Sequence, residues 1–136
     1  MRSKNWKKVE YKVARMLGGK RVPVSGRARH YKGDVDHEKY FIEVKSGKQV
    51  PKKVLKWYEE LKKSKIVKTY GFLIIPEEAI PKVILRWYEK TEKECPEGKI
   101  PLLVMKPKYS HYEFVLWRVC RSYRFTTLDI FVDRMG

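Results

Sequence analysis

The sequence predicts an α/β fold: a central mixed β-sheet flanked by helices, in one unit spanning 1–136. Three observations predict it. The chain opens with apolar residues at helical spacing, and two short alternating segments follow near residues 33–45. After residue 40, strand-like and helix-like runs alternate, which calls for right-handed crossovers and helices on both sheet faces.

Residues 4–17 place Trp6, Val9, Val13, Met16 and Leu17 on one helical face, with Lys4, Lys7, Lys8, Lys12 and Arg15 elsewhere around it. Gly18-Gly19 ends that helix. Residues 20–25 read as a short strand and 26–32 as a basic polar loop. Residues 33–36 and 40–45 read as two strands joined at His37-Glu38. Pro51 suits the first turn of a helix to about Lys63, with Val54, Leu55, Tyr58 and Leu61 inward. Tyr70–Ile75 is a continuous apolar run, the pattern of a strand buried on both faces. A helix over 78–94 turns Ile80, Val83, Ile84, Trp87 and Tyr88 inward. Strands over 100–106 and 112–119 follow, and Thr126 with Asp129 marks a capping box for a short last helix. PKKVLKWYEE and PKVILRWYEK, thirty residues apart, read as two helices meeting the same packing demand on one sheet.

Apolar residues make up 43 % of the 136, enough for a core. No apolar run approaches membrane-spanning length, and no signal-peptide pattern opens the chain, so a soluble cytoplasmic protein is expected. Cys95 and Cys120 read as reduced thiols, and His30, His37 and His111 lack zinc spacing with them. Charge is the dominant compositional fact: 32 Lys and Arg against 16 Asp and Glu, a net +16. Such a surface fits a polyanion, because neutralising phosphates releases condensed counterions. Anionic lipid is the rival. It would want a basic amphipathic helix or a lipidation motif, and the first helix keeps its other face for the core.

The chemistry concentrates in GDVDHEKYFIEVKSGK, residues 33–48. Along a strand, Phe41, Glu43 and Lys45 share one face. A two-residue turn at His37-Glu38 pairs Asp36 with Lys39 and Asp34 with Phe41, so Asp34 and Asp36 join that face. A loop one residue longer would flip the first strand and break the arrangement. Glu10 is the sole acid among the first 33 residues and borders the apolar stripe of its helix, where it needs a partner. A divalent cation held by hard oxygen ligands would supply one. Such a cation lowers the pKa of a bound water and neutralises charge on an attacked phosphodiester, and Lys45 beside it would orient the nucleophilic water or stabilise the pentavalent phosphate. Glu-x-Lys on a strand is also what a surface ion pair looks like, so the motif gains weight from Asp34, Glu10 and the basic balance together.

Glu10 on a helix, then Ser25-Gly26, Gly33-Asp34 and Glu43-Val44-Lys45-Ser46, resembles the PD-(D/E)XK nuclease superfamily. In order and spacing the likeness is closest to archaeal-type Holliday-junction resolvases, and it covers about residues 6–63. The resemblance implies a restriction-endonuclease-like fold with an αβββαβ core. Asp34 and Glu43 would ligate Mg2+ (Mn2+ substituting), with Glu10 in the same site. Lys45 would be the catalytic lysine, and Ser25 would lie near the scissile phosphate unless it is a plain loop serine. Gly33 stands where the superfamily motif has Pro, a change that touches a turn and not the chemistry. Asp36 is the rival ligand if the turn register differs.

Such resolvases are homodimers that nick four-way DNA junctions, and a two-fold substrate matches a two-fold protein. Arg21, Arg27, Arg29 and Lys32 would then grip phosphates, Tyr31 would stack on an exposed base, and Lys48 and Lys52 would border the same groove. Neither a membrane nor a small-molecule cofactor is expected, and the setting would be an archaeal cell or a virus-infected host cell. Two alternatives stay open: the same core acting on another DNA substrate in repair or restriction, and a non-catalytic nucleic-acid-binding protein with structural acids.

Overall fold

In the computed structural model, seven strands among the described residues form one mixed sheet in the order β1-β2-β3-β5-β6-β7-β4. Residues 2–21 and 34–135 are described. Helix α1 (Arg2–Leu17) leads into β1 (Lys20–Arg21), β2 (Val35–Asp36) and β3 (Tyr40–Gly47). Helices α2 (Lys53–Lys63) and α3 (Lys65–Tyr70) then lead to β4 (Leu73–Pro76). A 3-10 turn at Glu77–Ala79 precedes α4 (Lys82–Glu94), followed by β5 (Ile100–Pro107), β6 (Phe114–Val119), β7 (Ser122–Thr127) and α5 (Leu128–Met135). No described helix is long and apolar enough to cross a membrane.

The glycine pair after α1 closes the helix as expected. Gly18 takes φ 78°, and the Gly18 and Gly19 amides donate to Arg15 and Ala14 carbonyls at 3.3 and 2.8 Å, a Schellman arrangement. A Cβ on Gly19 would stand 2.5 Å from the Asp36 carbonyl oxygen, so only glycine lets α1 turn this close to β2.

Beyond β3 the chain runs through α2, α3, β4 and α4 before β5 returns parallel to β3 in a ladder from Tyr40↔Ile100 to Gly47↔Pro107. All other neighbours pair antiparallel. Register then divides the side chains. Phe41, Glu43, Lys45, Leu103, Met105, Phe114, Leu116, Tyr123 and Phe125 share one face. α2 and α4 cover it: Trp57 meets Phe125 edge-on at 5.3 Å, and Tyr88 meets Tyr123 at 5.4 Å. Tyr40, Ile42, Val44, Val104, Val115 and Trp117 form the other face, covered by α1 and α5, with Phe131 packed on Tyr40 and Trp117. The two helices of the repeated segment therefore do serve the same face.

Several expectations need correction. Tyr70–Ile75 is not a strand buried on both faces. Tyr70 ends α3, an unexpected helix, and β4 is an edge strand whose Ile74 is 53 % exposed. The strand buried on both faces is β5, where Leu102 through Met105 are sealed between β3 and β6. Apolar content alone does not distinguish an edge from a centre. Strand β7 was also unexpected. It pairs with β6 through a tight hairpin at Cys120-Arg121, where Cys120 takes φ 57° without the Gly or Asn that usually marks such a turn. The cap of α5 sits one residue later than expected: the Ile130 amide donates to Thr127 Oγ1 at 3.2 Å. On α2, buried Trp57 takes the inward place expected of Leu55 and Tyr58, which are half-buried, and Val83 on α4 faces outward.

Candidate active site

The hairpin that brings the acids together has a different register from the expected one. Asp36 pairs with Phe41 and Val35 with Ile42, two residues along from the predicted alignment. The cause is His37. Its Nε2 donates to the Leu17 carbonyl at the open end of α1 (2.8 Å), and its Nδ1 accepts the Lys39 amide (3.0 Å). His37 is thus drawn back toward α1, and Glu38-Lys39 make the bend. A shift of two preserves side-chain parity, so Asp34 stays on the face of Glu43 and Lys45 and now lies beside Glu43 instead of Phe41.

Asp34 is held firmly. Its amide donates to the Ile42 carbonyl (2.9 Å), and its Oδ2 accepts the Val44 amide (2.8 Å), standing in for the backbone acceptor that the short strand β2 lacks. Asp34 also shares a side-chain hydrogen bond with Glu43. Burial first, then that hydrogen bond and the Asp34 charge, push the Glu43 carboxyl up to about 9, against smaller opposing pulls from Lys45 and Lys90. Two carboxyls placed so that one keeps its proton are a donor set short of positive charge. A divalent cation with one or two protein carboxylates and several waters fits them.

Lys45 lies two residues further along β3, half-buried on the same face, with its Nζ 5.5 Å from the Trp87 ring centroid. The ring confines the ammonium while leaving its charge available near Glu43.

Glu10 is buried, at 6 % exposure, but no three His, Cys, Asp or Glu side chains among the described residues converge as a metal-holding group. α1 packs with α5 over the sheet face opposite Glu43, and it also contacts β2 and β3, the strands beside the acids. Asp36, the rival ligand, is mostly exposed and pairs with Lys99 at 3.8 Å. Lys48 and Lys52 are exposed in the loop leaving the Lys45 end of β3, and buried Val50 tethers that loop. Arg21 lies opposite Val35 in β1 by backbone register. Its side chain, and the whole of Ser25, Arg27, Arg29, Tyr31 and Lys32, lie outside the described residues.

Sequence reasoning missed two neighbours of the site, both on α4: Trp87 beside Lys45 and Lys90 near Glu43. A signal was present in the repeated segment. Its first copy has Glu60 where the second has Lys90, and the two tryptophans diverge: Trp57 is sealed in the core while Trp87 is half-buried under Lys45. No family model, no curated protein and no solved structure matches the chain.

Proposed function

We propose that the protein is a metal-dependent endonuclease acting on branched DNA, in the manner of PD-(D/E)XK junction resolvases. The observation that carries this reading is the hydrogen-bonded Asp34–Glu43 pair with Lys45 beside it on one strand face. The net charge of +16 supports a polyanionic substrate. The order α1, then the β1–β2–β3 meander, then a helical crossover to parallel β5 is compatible with an αβββαβ core, with β4 as an excursion to the far edge.

Asp34 and Glu43 would hold Mg2+ or Mn2+, which when bound activates water and offsets phosphate charge. Glu43 would release its proton to solvent in holding the cation, and the Val44 amide keeps Asp34 oriented. Lys45, confined by Trp87, places a positive charge where the scissile phosphate gains negative charge. Lys48 and Lys52 extend the positive field from the same sheet end along the DNA backbone. A homodimer would present two such sites to the two-fold junction.

The test is cleavage of an immobile four-way junction with Mg2+, beside matched linear and forked DNA. The reading expects junction-selective nicking that Glu43→Gln abolishes. Wild-type rates in that variant would place the chemistry elsewhere. Equal cleavage of linear duplex would leave a nuclease of another substrate class, and no cleavage of any DNA would leave a binding protein.

A further inference from the structure

The β5–β6 hairpin tip, residues 108–113, does not contribute its tyrosines to the core. Tyr109 is 88 % exposed and adopts φ 71°, a left-handed conformation unfavourable for a residue with a bulky side chain. Tyr112 is 41 % exposed and meets Tyr58 of α2 at 5.4 Å between ring centroids. Ser110 fixes the tip: its Oγ accepts the Tyr112 amide and donates to the Tyr112 carbonyl, both at 3.0 Å. Between this tip and α2 runs an open groove of about 410 Å³, lined by Leu55, Lys56, Tyr58, Tyr109, His111 and Tyr112 among others. Cations flank the rings. Lys108 Nζ lies 5.2 Å from the Tyr109 ring, and Lys62 Nζ lies 4.7 Å from the Tyr58 ring while pairing at 3.0 Å with Glu59, the one acid in the lining among the described residues.

We infer that this groove is a binding site for unpaired bases of a DNA strand, with Tyr109 and Tyr112 as the stacking platform and Lys56 and Lys108 contacting backbone phosphates. Exposed rings interleaved with lysines suit single-stranded nucleic acid, because every base offers a π-face and every linkage an anion. An acidic peptide would use the lysines and leave the rings idle. An apolar protein face would bury the rings and leave Lys56 and Lys108 with no anionic partner.

Position supports the assignment. β5 runs beside β3 with Pro107 opposite Gly47, so the tip begins just past the end of the strand that carries Lys45. Lys45 stands level with Met105, four residues before Tyr109, so at about 3.3 Å per strand residue the two differ by at most about 13 Å along the strand direction, the rise of about four stacked nucleotides. Tyr58 and Lys45 belong to the same side of the sheet. A strand leaving the scissile position would meet the groove where its bases are free to unstack, as at a branch point.

The inference rests on the nuclease reading for the nature of the strand, but its test needs no cleavage. Fluorescence anisotropy in EDTA would compare a labelled oligothymidylate with a duplex of equal length. The proteins are wild type, Tyr109→Ala/Tyr112→Ala, and Tyr109→Phe/Tyr112→Phe. The alanine pair should weaken oligothymidylate binding roughly 10- to 100-fold and duplex binding less than about twofold, and the phenylalanine pair should keep wild-type binding. The salt slope should not change, since no phosphate contact is removed. Equal losses on both DNAs, or none on either, would overturn the inference. Thermal melts report folding, and if the alanine pair melts early, Tyr109→Ala alone carries the test because its ring lies almost wholly in solvent. Ring-dependent binding without cleavage of any DNA would refute the nuclease and keep the platform. Cleavage with ring-independent binding would do the reverse.

Discussion

Glu43→Gln should stabilise the metal-free protein increasingly as pH rises. In the unfolded chain Glu43 loses its proton near 4.5, and in the folded chain it keeps it to about 9. Across that window the folded state binds more protons than the unfolded state, so wild-type stability falls with rising pH. Each pH unit is worth up to about 1.4 kcal/mol, so the ceiling between pH 5 and pH 7 is about 2.7 kcal/mol. Glu43 is only half-buried and its proton is shared with Asp34, which brings the expected loss to about 1–2 kcal/mol. Glutamine keeps the size of the side chain and can donate to Asp34 at every pH. The assay is urea unfolding by circular dichroism from pH 5 to 9 in EDTA, wild type against variant. The variant-minus-wild-type difference isolates this group from every other titration. It should grow steadily with pH, and Mg2+ should shrink it by stabilising wild type alone, the cation taking the place of the shared proton. Parallel curves would refute the reasoning, because they would mean that Glu43 ionises in the folded chain much as it does in the unfolded one.

Trp87→Leu should release Lys45 and slow junction cleavage roughly 10-fold with little change in DNA affinity, while Trp87→Phe recovers most of the rate in single-turnover assays. Tyr88→Phe removes a hydroxyl that donates to the Pro101 carbonyl and accepts the Arg118 amide, both at 3.0 Å. It should cost about 1–3 kcal/mol in urea unfolding and leave cleavage per folded molecule unchanged.

Much of the site is legible in the local chain. Alternation along YFIEVK places Glu43 and Lys45 together whatever their neighbours do, because strand pleating is a backbone property. Asp34 joins them for a less secure reason. The expected turn was off by two residues, and only because two is even did the acid stay on its face. What moved the turn is a contact with α1, through His37 and the Leu17 carbonyl, twenty residues apart in sequence. Glu10 is a simpler case: its burial is readable from its place beside the apolar stripe of α1.

Amphipathic periodicity, glycine stops and strand alternation by themselves determined that this chain builds an α/β sheet with helices on both faces, and that an acid and a lysine project together from β3. Tertiary structure alone decided which strand lies at the centre and which at the edge. It also set Asp34 beside Glu43 and brought Trp87 and Lys90 over from α4. The physical reason is that periodicity reports only how a segment's own side chains are distributed around its backbone. Which partner meets each face, and hence which charges lose their water together, is settled when distant segments pack.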